Sequence, residues 1–146
     1  MAKKIIKFEI VTPEKSVLKR DIVSATIMTT SGEITVLADH IPLVTVLKPG
    51  VLEMKDENGE IEIMSLSGGF MEVMRDKIVV LADTAERASE LDENRIEEAR
   101  ARAEARKKEI SNVDQVQFTN ISAQLDKELA RSKALNRWRR LKGVNK

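Results

Sequence analysis

Between Ile5 and Val11 apolar and polar side chains alternate: Ile6, Phe8 and Ile10 fall on one face, Lys7, Glu9 and Val11 on the other. A period of two is that of a strand half buried against a core. The segment ends at Thr12-Pro13-Glu14, and a short run from Ser16 to Leu18 answers it before Arg20-Asp21. Similar runs follow at Ile22 to Thr29, Glu33 to Leu37, Leu43 to Leu47, Val51 to Lys55, Glu60 to Leu66, Gly69 to Met74 and Lys77 to Leu81. Turn signals separate them, among them Ser31-Gly32, Lys48-Pro49-Gly50, Asn58-Gly59 and Arg75-Asp76. No gap has room for a crossover helix, so the pattern predicts antiparallel pairing and not parallel βαβ units. Asn58-Gly59 tolerates the positive φ angles of a type I′ turn, which predicts a hairpin between Val51 to Lys55 and Glu60 to Leu66. Eight to ten antiparallel strands, each with one apolar face, bury those faces best as two packed sheets. The expected fold of residues 1–85 is therefore an all-β sandwich.

From Glu86 onward Ala, Glu, Arg and Lys take over, and residues 86–146 read as an antiparallel α-helical hairpin. Ser89-Glu90-Leu91-Asp92 supplies capping side chains, with Asp92 at the N-cap and Arg95 at the third helical position. No Gly or Pro interrupts the chain through Glu109. Ile110-Ser111-Asn112-Val113-Asp114 breaks the pattern, and a second helix is expected from about Asp114 to Leu141, with Gly143 as its stop. So short a connection makes the helices antiparallel neighbours. In the second helix Phe118, Ile121, Leu125 and Leu129 share one narrow stripe, while Leu135, Trp138 and Leu141 step round the cylinder. One straight groove cannot bury both sets. The first helix offers Leu91, Ile96 and Ile110, and otherwise mostly alanine (Ala99, Ala101, Ala103, Ala105). With so little apolar area the hairpin is expected to dock weakly and to be displaceable. The plain alternative is a second helix that simply packs on the sandwich with a frayed end.

Charge sharpens this picture. The formal net charge is only +1, yet Arg131, Lys133, Arg137, Arg139, Arg140 and Lys142 follow one another with no acid between them. Such a segment seeks an acidic surface. A nucleic acid is not the expected partner, because there is no Tyr and the few other aromatics do not interleave with the basic residues as a stacking platform. The absence of Cys rules out disulfides and thiolate metal sites and fits a reducing compartment. The first residues lack the apolar stretch of a signal peptide, and no run approaches a membrane span, so no direct membrane insertion is expected. The single histidine, His40, excludes a multi-histidine metal site and reads as a turn or interface residue in Leu37-Ala38-Asp39-His40-Ile41-Pro42. Ser67-Gly68-Gly69 lacks the spacing and the Lys-Ser/Thr ending of a phosphate loop and reads as a bulge or a close backbone approach. No nucleophile, base and oxyanion donor assemble, so neither catalysis nor a required cofactor is expected.

Three segments carry a resemblance: Gly32-Glu33-Ile34 through His40-Ile41-Pro42-Leu43 and Leu47-Lys48-Pro49-Gly50; Leu66-Ser67-Gly68-Gly69-Phe70-Met71-Glu72-Val73; and Val79-Val80-Leu81-Ala82-Asp83-Thr84-Ala85. In order and spacing they resemble the epsilon subunit of bacterial F-type ATP synthases, with Ala38-Asp39 standing where that family often has Pro-Gly. The resemblance implies a non-catalytic rotor component, peripheral on the cytoplasmic side of the cell membrane. Its sandwich would bind the gamma subunit and the c-ring, with His40, Pro42, Ser67, Gly68 and Gly69 as candidate interface residues. Its hairpin would fold against the sandwich or extend along gamma toward the alpha and beta subunits and impede ATP hydrolysis. Arg131, Lys133, Arg137, Arg139 and Arg140 are then the candidates for contact with an acidic segment of beta. Some members of that family bind ATP as a regulatory ligand through an Ile/Leu-Asp-x-x-Arg-Ala motif. Leu91-Asp92-Glu93-Asn94-Arg95-Ile96 is similar to it, and Glu86, Asp92, Arg95, Arg102, Lys133 and Arg137 are the implied ligands. Ile96 replaces the small alanine and Lys133 replaces an arginine whose bidentate fork it cannot reproduce, and both departures weaken such a site. Two readings stay open: ATP ligands, or a helix cap at Asp92 and a solvated Arg95. A free-standing ATP-sensing module is the alternative to the rotor reading.

Overall fold

The computed structural model describes residues 4–110 and 115–143. Among them nine strands precede two helices: β1 (Ile6–Val11), β2 (Ser16–Ile22), β3 (Ser24–Thr29), β4 (Gly32–Leu37), β5 (Leu43–Lys55), β6 (Ile61–Leu66), β7 (Gly69–Val73), β8 (Lys77–Ala82) and β9 (Ala85–Arg87). A 3-10 turn at Ala88–Glu90 leads into α1 (Glu93–Glu109), and α2 spans Gln115–Leu141. The alternating residues do what their period predicts, since Ile6, Phe8 and Ile10 are all buried. They join Ile22, Ile27, Leu52, Met54, Met64, Leu66, Met71, Ile78 and Val80 in the main core. The fold is a mostly antiparallel β-sandwich followed by a helical hairpin.

The strand pairings form two arms that share β5. Leu43 to Leu47 of that strand pair with β7, which continues through β8 and β1 to β2. Gly50 to Lys55 pair with β6, and β9 adds to β6. On its other side β5 pairs with β3, which pairs with β4. Lys48-Pro49-Gly50 is therefore no turn, contrary to expectation. Proline has no N–H to give a ladder, and Pro49 sits where β5 changes partners and needs none.

Two further expectations are corrected, and one strand was absent from the pattern. β1 and β8 pair in parallel, because closing the sandwich sets the first strand beside the eighth after a long antiparallel excursion; no crossover helix is required. The β5–β6 connection is a five-residue loop rather than a type I′ turn: only Gly59 takes a positive φ, +83°. The Asp56 carboxylate organises that loop by accepting from the backbone N–H groups of Asn58 and Glu60, both at 2.9 Å. Finally β9 was not foreseen, as three residues are too few to show a period.

The hairpin is docked. Glu53 and Val51 of β5 and Ile61 and Ile63 of β6 point away from the main core, and α2 lies across that face. A small second core forms there from Ile63, Ala88 and Ala134, with Val51, Ile61, Leu91 and Trp138 half buried around it. Fully burying one such isoleucine is worth about 1.5–3 kcal/mol, and the other two buried members are alanines, so the attachment is modest. α2 buries only part of the stripe read from the sequence, Ile121 with Leu125 half buried, and adds residues from outside it. Phe118 (39%) and Leu129 (41%) stay exposed, whereas Ile121, Glu128, Ala130, Ala134 and Leu135 are buried. Small side chains let the helix approach the sheet closely, and that proximity outweighs the pull of the larger residues. Phe118 instead lies 5.0 Å beneath the Lys107 ammonium of α1. The expected helix break falls at Ile110 and 111–114, and Ser111, Asn112, Val113 and Asp114 lie outside the described residues. Gly143, at φ +71°, ends α2 as predicted.

Candidate functional site

A cleft of about 240 Å³ opens where β9, the start of α1 and the middle of α2 meet. Glu86 reaches it from β9, in register with Ser65 of β6. Asp92 is the N-cap of α1, accepting from the N–H groups of Asn94 (2.9 Å) and Arg95 (3.3 Å). From α2 comes Arg131, whose guanidinium is shared between two carboxylates: its Nε donates to Glu86 at 3.0 Å and another nitrogen donates to Glu128 at 2.7 Å. Burial works against the charged guanidinium, but hydrogen bonds and charge from Glu86, then Glu128, prevail and raise the Arg131 pKa above the ordinary arginine value. The walls carry four carboxylates (Glu86, Glu90, Asp92, Glu128) against two arginines (Arg95, Arg131). Such an excess of negative charge is a poor field for a polyphosphate.

The other proposed nucleotide ligands lie elsewhere. Lys133, Arg137 and Arg140 line a second cleft of about 340 Å³ between α2 and the sheet, facing Glu33 and Glu53. Arg137 Nε donates to Glu53 at 3.1 Å. Arg102 is exposed on α1 and lines neither cleft. Arg139 bridges to Glu93 at 3.0 Å and ties the end of α2 to the start of α1. The six residues named for ATP are thus split, with Glu86, Asp92 and Arg95 together. Arg131, named for an external contact, is the residue that joins them.

His40 is half buried in the β4–β5 loop, its Nδ1 2.7 Å from the carbonyl of Ile41, and Pro42 is exposed beside it. Ser67, Gly68 and Gly69 serve the fold: Ser67 Oγ accepts from Thr84 N–H at 2.9 Å, and Gly68 C=O accepts from Asp83 N–H at 3.1 Å. The β5–β7 ladder, running from Leu43↔Val73 to Leu47↔Gly69, puts the two groups at opposite ends, roughly 13 Å apart at 3.3 Å per residue. Between them lies a surface that sequence reasoning missed. Val46, Phe70 and Leu81 are register neighbours across β5, β7 and β8, and they are 45%, 55% and 53% exposed. Val44, 71% exposed, extends the row. The signal was present, as these are apolar residues at the outward positions of strands whose inward positions are already apolar. Among the described residues no group of acidic or histidine side chains could hold a metal ion, and no helix is long and apolar enough to cross a membrane.

A β-sandwich with a shallowly docked helical hairpin and a bare apolar strip is the architecture of a subunit built for protein contacts. Residues 5–88 match the family model of the ATP synthase delta/epsilon chain β-sandwich domain. The ATP synthase epsilon chain of Chloroflexus aggregans is 46% identical over 98 residues, covering 67% of this chain and 70% of that one. That of Psychrobacter arcticus is 41% identical over 110 residues, covering 75% and 78%. For Dichelobacter nodosus the figures are 43% over 95 residues, 65% of this chain and 66% of the relative. Among solved structures, the mitochondrial ATP synthase of Euglena gracilis, described as OSCP/F1/c-ring in rotational state 1, contains a chain that superposes with a TM-score of 0.77. That chain is 26% identical, and the match covers 92% of this chain and 82% of it. A chain in the central stalk/c-ring structure of the Tetrahymena thermophila mitochondrial ATP synthase shares the fold, with a TM-score of 0.63 at 16% identity over 92% of this chain and 99% of that one. The chain belongs to the ATP synthase epsilon chain family.

Proposed function

We propose that this chain is a non-catalytic central-stalk subunit of an F-type ATP synthase, held peripherally on the cytoplasmic side of the cell membrane by its partner subunits. The sandwich docks on the gamma subunit and the c-ring, and the hairpin regulates ATP hydrolysis through gamma and the alpha and beta subunits. The observation that supports docking is the row Val46, Phe70 and Leu81, which leaves three large apolar side chains in water side by side. Such a strip marks a protein interface. Phe70→Asp is expected to abolish co-purification with gamma while leaving the isolated chain folded; retention of gamma by that variant would sink the assignment of this face.

Regulation by the hairpin is supported by the modest second core and by ion pairs such as Arg137–Glu53, which hold α2 without burying much apolar surface. The chain has no cysteine, so Glu53→Cys and Arg137→Cys bridged by a short thiol reagent would fix the hairpin alone. Hydrolysis by the reconstituted complex is expected to lose its inhibition when the bridge forms, and to regain it when the bridge is released. Unchanged hydrolysis would count against the hairpin as the moving part.

ATP as a regulatory ligand is the second reading, supported by the convergence of Glu86, Asp92 and Arg95 on one cleft. The acidic walls and the distribution of Lys133, Arg137 and Arg102 weigh against tight binding. Calorimetric titration with Arg95→Ala as control tests it: saturable heat lost in the variant supports a ligand site, and no heat at millimolar ATP leaves Asp92 as a helix cap.

A further inference from the structure

Heptad spacing on α2 puts Ile121, Glu128 and Leu135 on one face, and all three are buried, at 3%, 3% and 4% exposure. On α1 the buried Ile96 and Ala103 are spaced in the same way. Between Ile121 and Leu135 this row carries a carboxylate, Glu128, which also forms part of the wall of the cleft shared with Glu86 and Asp92. Among the buried polar side chains described, Thr29 donates to Gly32 C=O at 2.7 Å, whereas Glu128 is only half satisfied. One of its oxygens accepts from Arg131; the other, Oε2, has no hydrogen-bond partner among the described residues. Arg131 cannot neutralise the cluster, because it also serves Glu86.

From this geometry we infer that Glu128 is a built-in weakening of the docked hairpin. With α2 held against both β9 and the start of α1 its carboxylate is buried with one oxygen unmet, and release of α2 from both returns that oxygen to water. The neighbouring Arg131–Glu86 pair has the opposite role: it links α2 to β9, exists only while the hairpin is docked, and favours docking. The Glu128–Arg131 pair lies within α2 at i and i+3, so it survives release and adds nothing to docking. The two carboxylates on one arginine therefore act in opposite directions, and Glu128 keeps the docked state from being a trap. This deepens the reading of the hairpin as a movable regulator and rests on it.

The test uses the full chain alone. Trp138 is the one tryptophan and sits in the second core, so its emission together with hydrogen exchange of the α2 amides reports docking. Glu128→Met, which keeps size and helix propensity, is expected to raise the docked-to-released ratio about tenfold, the worth of an unmet buried polar group. Glu128→Gln is expected to shift it the same way by less. Glu86→Gln is expected to lower it. If Glu128→Met or Glu128→Gln lowers docking as Glu86→Gln does, or leaves it unchanged, Glu128 is an ordinary ion-pair partner and the inference is overturned. The thiol-bridged complex separates the two failures, since it reports whether release matters to hydrolysis whatever sign the isolated variants give.

Discussion

Gly69 shows how one residue can set the geometry of a face. Its φ is +136°, and a Cβ placed there would lie 2.0 Å from the Leu81 carbonyl oxygen and 2.9 Å from the Ala82 Cα, both backbone atoms that cannot swing aside. β7 and β8 approach each other closely because position 69 has no side chain. Gly69→Ala is expected to destabilise the sandwich by more than about 3 kcal/mol, combining strain with a clash, as read from a urea midpoint. Asp39 is the converse case. It takes φ +61° at the position where the resembling family often has glycine, and aspartate tolerates that region better than most residues. A hydrogen bond from the Lys4 ammonium, and then its charge, lowers the Asp39 pKa below the ordinary carboxylate value. A depressed folded-state pKa stabilises the fold above the unfolded value and loses that contribution as pH falls through the folded one. The side chain is solvent-accessible, so the visible effect is on titration: Lys4→Ala should move the Asp39 midpoint upward by NMR. No movement would show that the pair does not persist in solution.

Among the elements, α1 depends on its start. Its only two buried residues are Ile96 and Ala103, and charge pairs such as Arg100–Glu97 and Arg100–Glu104 on its outer face add little. The Asp92 cap satisfies two N–H groups of the first turn. Asp92→Ala is expected to cost about 1 kcal/mol and to speed hydrogen exchange in the first turn of α1 while leaving the strands protected. Equal loss in the strands would mean that hairpin and sandwich open as one unit. β6 carries the complementary lesson. Met64 and Leu66 face the main core and Ile63 faces the hairpin, so the strand is apolar on both sides. Such a strand requires cover on both faces, and α2 provides the second.

At the scale of the whole molecule, among the described residues the main core contains none beyond Ala85, and the buried residues of the second core are Ile63, Ala88 and Ala134. A chain ending after Glu90 is therefore expected to keep its strand signal by circular dichroism and to lose about 2 kcal/mol through re-exposure of Ile63 and its half-buried neighbours. Complete unfolding would instead make the hairpin part of the sandwich's own folding unit. The sequence by itself determined most of the strands, the cap at Asp92, the stop at Gly143 and the order of sandwich then hairpin, because period, cap chemistry and positive-φ glycines are local and need no knowledge of what lies across the core. Only the tertiary structure decided the parallel β1–β8 pair, the passage of β5 through Pro49, the division of the arginines between two clefts and the burial of Glu128. Each of these depends on which surfaces meet, and a helix chooses its buried face by how closely it can approach a sheet, which its own periodicity does not record.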